Sequence, residues 1–171
     1  MRLTTWTGKR IDYNAPSPDQ IDIKDIAIAL SRECRYAGHV REFYSVAQHS
    51  ALCSAIVDDE LALEALLHDA SEAYLKDIPS PLKALLPDYK AIEARFDKVI
   101  RRYFGLPELG SEQVKAADIV VLATEIRDLI EPGMIRPPFG VEPLKLRIVP
   151  EHPENARDAF LRRFNYLTKG R

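Results

Sequence analysis

A chain of 171 residues with 46% hydrophobic and 29% charged side chains has the size and composition of one self-supporting globular domain, which excludes a disordered or fibrous protein. Lys plus Arg number 24 against 26 Asp plus Glu, and the formal net charge of -2 offers no positive field to a polynucleotide backbone. Cys34 and Cys53 form neither a CxxC pair nor a disulfide framework, and neither a signal-like start nor a run of about 18 apolar residues occurs, so a cytoplasmic protein without a membrane span is expected.

The elements follow in chain order. "TTWTGKRIDY" sets Gly8 and Lys9 between two short β-prone segments and predicts a small N-terminal hairpin. After the prolines of "NAPSPDQ", Ile23, Ile26, Ala27 and Leu30 recur at helical spacing and predict a first helix over about 22–33. The basic stretch "RECRYAGHVRE" suits a single phosphate better than a duplex. Phe43, Val46, Ala47, Ser50, Ala51, Ser54 and Val57 mark one side of a second helix with His49 in its middle.

"DDELALEALLHDASEAYL" predicts a third helix over about 60–75, apolar nearly all round, with acidic residues where they complement the helix dipole. Pro79, Pro81 and Pro87 bound a short helical turn. Ile92, Phe96, Val99, Ile100 and Tyr103 then define a fourth long helix stopped by Gly105 and Pro107. "SEQVKAADIVVLATEIRDLI" is a further helix behind a Ser111 cap, and a proline-rich loop over 132–153 leads to the amphipathic "ENARDAFLRRFNYLTK". The fold class is therefore all-α, a bundle of about six helices in a single domain spanning 1–171 with its core at about 22–130.

The chemistry lies in "LLHDASEAYLKDIP". Isolated buried charges cost several kcal/mol or more, so His68, Asp69, Glu72 and Asp77 must be paired, neutralised or bound to something. With His49 and Asp118 on neighbouring helices they offer nitrogen and oxygen donors suited to a divalent transition metal. Adjacent helical residues project about 100° apart, which leaves His68 and Asp69 ambiguous as face-mates, whereas Glu72 shares a face with either.

The elements "VAQHS", "LLHDASEAYLKDIPSPLK" and "KAAD", in this order, resemble the signature of the HD-domain metal-dependent phosphohydrolases, over about residues 22–130. The resemblance is nearest to the small 5'-deoxyribonucleotidases and deoxynucleoside triphosphohydrolases. It implies a helical bundle and one divalent ion (Mn, Co, Zn, Fe, Ni or Mg) held by His49, His68, Asp69 and Asp118. It also implies catalytic roles for Glu72 and Asp77, phosphate contact by Arg35, sugar packing by Tyr36, and a homodimer or higher homo-oligomer. Tyr36 stands where that enzyme group carries a larger tryptophan, and "AGHVREFY" departs from its pattern. His39 and Lys83 are further substrate-contact candidates, with Arg41 a weaker one.

The expected function is hydrolysis of a 5'-deoxyribonucleoside monophosphate, with no polynucleotide and no membrane partner. The alternatives are release of triphosphate from a deoxynucleoside triphosphate, or a non-catalytic module in which the metal only staples helices. Each residue also has a plainer reading: a core histidine at 49, a solvent-facing Asp118, a surface Arg35, an Asp77 that caps the helix after it, and an exposed His152 in a loop.

Overall fold

The structure is a computed structural model describing residues 3–169. Its hairpin is small: β1 (Leu3–Thr4) pairs antiparallel with β2 (Arg10–Ile11), Leu3 opposite Ile11. All other regular structure among the described residues is helical, as the periodicity requires.

Helix α1 (Ile23–Arg32) starts where the Asp22 side chain accepts the Lys24 N–H, and it buries Ile26, Ala27 and Leu30. Helix α2 (Val46–Ala55) is capped by Ser45, which accepts from the Gln48 N–H. The second helix thus begins later than its apolar stripe suggests, and Phe43 lies outside it, 38% exposed. Because α2 carries small residues on several sides, neighbours approach it closely. It packs against α1, α3 (Ala62–Leu67), α7 (Glu112–Leu129) and α8 (Pro153–Thr168).

The third helix expected over 60–75 is two. Helix α3 ends at Leu67, and α4 (Glu72–Leu75) begins only after a tight turn in which Ala70 N–H bonds Leu67 O, Glu72 N–H bonds Asp69 O and Ala73 N–H bonds Ala70 O. This i to i−3 pattern winds the chain more tightly than an α-helix. Lys76 ends α4 in the left-handed region at φ 81°. Short α5 (Ser80–Ala84) has Pro79 at its N-cap and no side-chain cap, so Asp77 does not cap it.

Helix α6 (Pro87–Phe104) stops at Gly105, whose φ of 66° is the left-handed cap that glycine adopts without strain. Phe96 and Ile100 of α6 join Leu66, Leu30 and Phe160 in the main core, and Phe96 stacks on Tyr74. Each such side chain contributes roughly 1.5–3 kcal/mol by burial. Buried Glu64 accepts from Arg101 Nη2 at 2.8 Å and from the Ser111 N–H at 2.8 Å, tying α3 to α6 and to the start of α7. No helix among the described residues is long and apolar enough to cross a membrane.

Candidate metal centre

The expected ligands converge where α2, α7 and the α3–α4 turn meet. His49 Nε2 lies 3.3 Å from His68 Nε2, 3.1 Å from Asp118 Oδ1 and 3.6 Å from Asp69 Oδ2, and His68 Nε2 lies 3.2 Å from that same Asp69 oxygen. The tight turn after Leu67 removes the ambiguity of the doublet, since adjacent side chains that an α-helix would splay here address one point.

The other ring nitrogens settle the tautomers. His68 Nδ1 lies 2.7 Å from the Ala65 carbonyl oxygen, which can only accept, so Nδ1 carries the proton. His49 Nδ1 lies 2.7 Å from Glu125 Oε1. Burial works against the Glu125 carboxylate, but the charges of His49 and Arg35 outweigh it and pull the group down to about 2, so it too is an acceptor. With Nδ1 of each ring so engaged, the two Nε2 atoms face each other and two carboxylate oxygens. Such a set of nitrogen and oxygen donors could hold a divalent metal ion.

The shifts of the individual groups reflect charge pairing between the rings and the carboxylates. Burial opposes an imidazolium at His68, yet Asp69 lifts the group to about 9. Burial likewise opposes charge on Asp69, whose carboxyl is nonetheless held well below the usual range by His68, His49 and Arg35. With both rings neutral, as metal ligation requires, Asp69, Asp118 and Glu125 against the single guanidinium of Arg35 leave two negative charges, which a divalent ion matches.

Behind the ligands stands a second layer. Glu125 is fully buried and receives three donors: His49 Nδ1, Arg35 Nε at 3.2 Å and the Tyr36 hydroxyl at 2.6 Å. It fixes the ring of His49 as a carboxylate behind a metal-binding histidine does. Arg35 also reaches Asp69 through Nη1 at 3.6 Å. Tyr36 and Ala37 take left-handed backbone conformations at φ 57° and 51°, which cost about 1–2 kcal/mol each for residues with a Cβ. The Tyr36–Glu125 bond helps hold that turn.

Two clefts open on the centre. The smaller, about 430 Å³, is bordered by His68, Asp69, Glu72, Lys83 and Asp118. The larger, about 770 Å³, is bordered by Arg35, Tyr36, His39, Asp77, Asp118 and apolar Leu122 and Ile126. Asp118 borders both. Burial, then the charges of Asp69 and Asp77, raise the Glu72 carboxyl well above its ordinary value, and its Oε2 is buried without a hydrogen-bond partner. Burial also raises Asp77, on the larger cleft.

Comparison with known proteins places the chain among relatives. The uncharacterised protein YfdR of Escherichia coli K12 is 48% identical over 170 residues, covering 98% of this chain and 96% of that protein. The chain belongs to the YfdR family. An uncharacterised protein of Rhodobacter capsulatus is 32% identical over 185 aligned residues, covering 95% of this chain and 93% of that protein. No protein-family model matches.

In this YfdR-family chain the remaining expected residues fall in distinct places. Arg35 is a partly buried, paired group beside the centre and not a loose surface arginine. Tyr36 donates its hydroxyl to Glu125 and borders the larger cleft. His39 is exposed at that cleft's edge. Lys83 borders the other cleft and donates to Glu93 at 2.7 Å. Arg41 is drawn away, its Nη2 donating to the Ile130 carbonyl. His152 is exposed beside Glu154, as a loop residue.

Sequence reasoning missed Glu125 and Cys53. Glu125 follows Asp118 by seven residues, two helical turns, and so returns to the same face of α7. Cys53 follows His49 by four on α2 and, with His49, His68 and Asp118, presents donor atoms all within 4.8 Å of one another.

Proposed function

We propose that the chain is a metal-dependent phosphohydrolase of the HD-domain kind, acting on 5'-deoxyribonucleoside monophosphates to release phosphate. The observation that carries this reading is the convergence of four acceptor atoms, both histidines fixed with Nε2 inward, beside a buried and unpartnered Glu72 carboxyl.

His49, His68, Asp69 and Asp118 would hold the ion, and their chemistry fits a borderline divalent metal. When bound, such an ion supplies Lewis acidity toward a phosphoryl oxygen and makes water a stronger nucleophile at neutral pH. Glu125 keeps His49 in one orientation and one tautomer. Arg35, pinned through Nε and Nη1, presents a planar cation at the border of the larger cleft, where it neutralises a nonbridging phosphate oxygen. Glu72, with its raised affinity for a proton, exchanges that proton with water beside the ligands. Asp77, which borders the larger cleft, serves the leaving oxygen in this proposal.

The clefts on either side of the cluster favour an enzyme over a metal staple, since a structural site is closed by protein on all sides. The apolar side of the larger cleft, Leu122 and Ile126, suits a nucleoside.

A panel of ribo- and deoxyribonucleoside mono-, di- and triphosphates, with manganese or cobalt added and products identified, tests the reading. Orthophosphate from deoxyribonucleoside monophosphates is the expected product. Triphosphate released from deoxynucleoside triphosphates would move the chain to the sister activity, and no turnover of any nucleotide would defeat the proposal.

A further inference from the structure

The inner wall of the cluster holds a donor that the four expected ligands leave out. Cys53 Sγ lies 3.5 Å from His49 Nε2, and the residue is fully buried. Its other surroundings are apolar, Ala65, Val114 and Val121, so the sulfur faces the centre as its polar neighbour. Accepting the cluster as a metal centre, we infer that Cys53 is a further ligand of the same ion and directs the site toward zinc or cobalt.

Distance supports this. Donors that share an ion at about 2.0–2.1 Å for nitrogen and about 2.3 Å for sulfur lie about 3.1–3.6 Å apart for a nitrogen–sulfur pair, and about 2.8–3.4 Å for two nitrogens, when the bond angle is between about 90° and 109°. The sulfur–nitrogen separation of 3.5 Å and the nitrogen–nitrogen separation of 3.3 Å both fall in those ranges. The sulfur also lies within 4.8 Å of the donor atoms of His68 and Asp118, and on their outer side Glu72 Oε2 is buried without a partner in the cleft that His68, Asp69 and Asp118 border.

The backbone makes the arrangement a consequence of helix geometry. Residues four apart lie on one face of a helix, so a cysteine one turn after His49 is brought to the ion from the same element. On binding, the thiol proton passes to solvent as the sulfur–metal bond forms. A thiolate added to imidazole and carboxylate donors selects softer ions, and magnesium and manganese lose by comparison.

The test is a cobalt titration of the full chain, freed of metal by chelation. Calorimetry should give one ion per chain, and absorption should show a thiolate-to-cobalt charge-transfer band. The chain has only two cysteines, so a band that survives Cys34→Ser and disappears in Cys53→Ser and Cys53→Ala belongs to Cys53. Those two variants should bind zinc about tenfold or more weakly and manganese nearly as before. If neither folds, the wild-type band and its survival in Cys34→Ser still carry the assignment. One bound cobalt without the band, or a band that persists in Cys53→Ser, overturns the role of Cys53 and leaves the metal centre standing. Absence of any cobalt binding by the wild-type chain overturns both.

Discussion

The two walls of the centre are built differently. The inner wall, from α2 and the second half of α7, is dry: His49, Cys53 and Glu125 are all fully buried and locked by hydrogen bonds or packing. The outer rim, from the α3–α4 turn and the first half of α7, is wet: the side chains of His68, Asp69 and Asp118 are 15%, 21% and 41% exposed. A dry wall fixes geometry because its charges have no water to fall back on. A wet rim can exchange protons and admit a substrate. Changes to the inner wall should therefore cost folding, and changes to the rim should cost turnover.

The largest effect expected is at Glu72, which is buried just behind the rim on α4. Glu72→Ala should lower kcat by about 10²–10⁴-fold if the carboxyl is a general acid or base, with metal content and thermal stability nearly unchanged. Steady-state kinetics beside metal analysis checks this. A variant that loses its ion would make Glu72 a ligand, and one that keeps its turnover would pass the role to Asp77.

Glu125→Ala should reverse the pattern. It frees the His49 ring and leaves Arg35 with Asp69 alone, and breaking a buried pair such as His49–Glu125 by removing one partner costs about 3–5 kcal/mol. Urea denaturation of the metal-free chain should show that loss in full, before any catalytic measurement. A Glu125→Ala chain as stable as the wild type would erase the distinction between the walls.

Metal removal is the next smaller effect. An ion that binds only the folded chain stabilises it by about 2.7 kcal/mol at a free concentration of 100 times Kd, so chelation should lower the melting temperature and re-addition restore it. Lys83→Ala should do least: its exchange with Glu93 is a partly exposed ion pair, worth about 0–1 kcal/mol. A larger loss of stability would mean that the smaller cleft depends on Lys83.

Which parts of this were legible in the sequence follows from the same contrast. The ends of α1, α6, α7 and α8 were readable from caps, Gly105 and periodicity, because those helices present regular apolar faces. His49, His68, Asp69 and Asp118 stood out as polar insertions in apolar stretches. The turn between α3 and α4 was not readable, since "HDASEAY" has no glycine or proline to mark a break; only the hydrogen bonds of the folded chain show the tighter winding. Tyr36 and Ala37 in left-handed conformations also defied local preference, which reserves that region for glycine and asparagine. Glu125 and Cys53 were hidden because each looks like an ordinary helical residue until its partner one or two turns away is known to face the centre.

Direct determination of bound metal in the purified chain and in His68→Ala tests the central claim. The account predicts one divalent ion per wild-type chain and a loss of that ion in His68→Ala, whose fold is retained because His68 sits on the wet rim. A full metal complement in His68→Ala, or a wild-type chain that takes up no divalent ion when supplied with one, would contradict it.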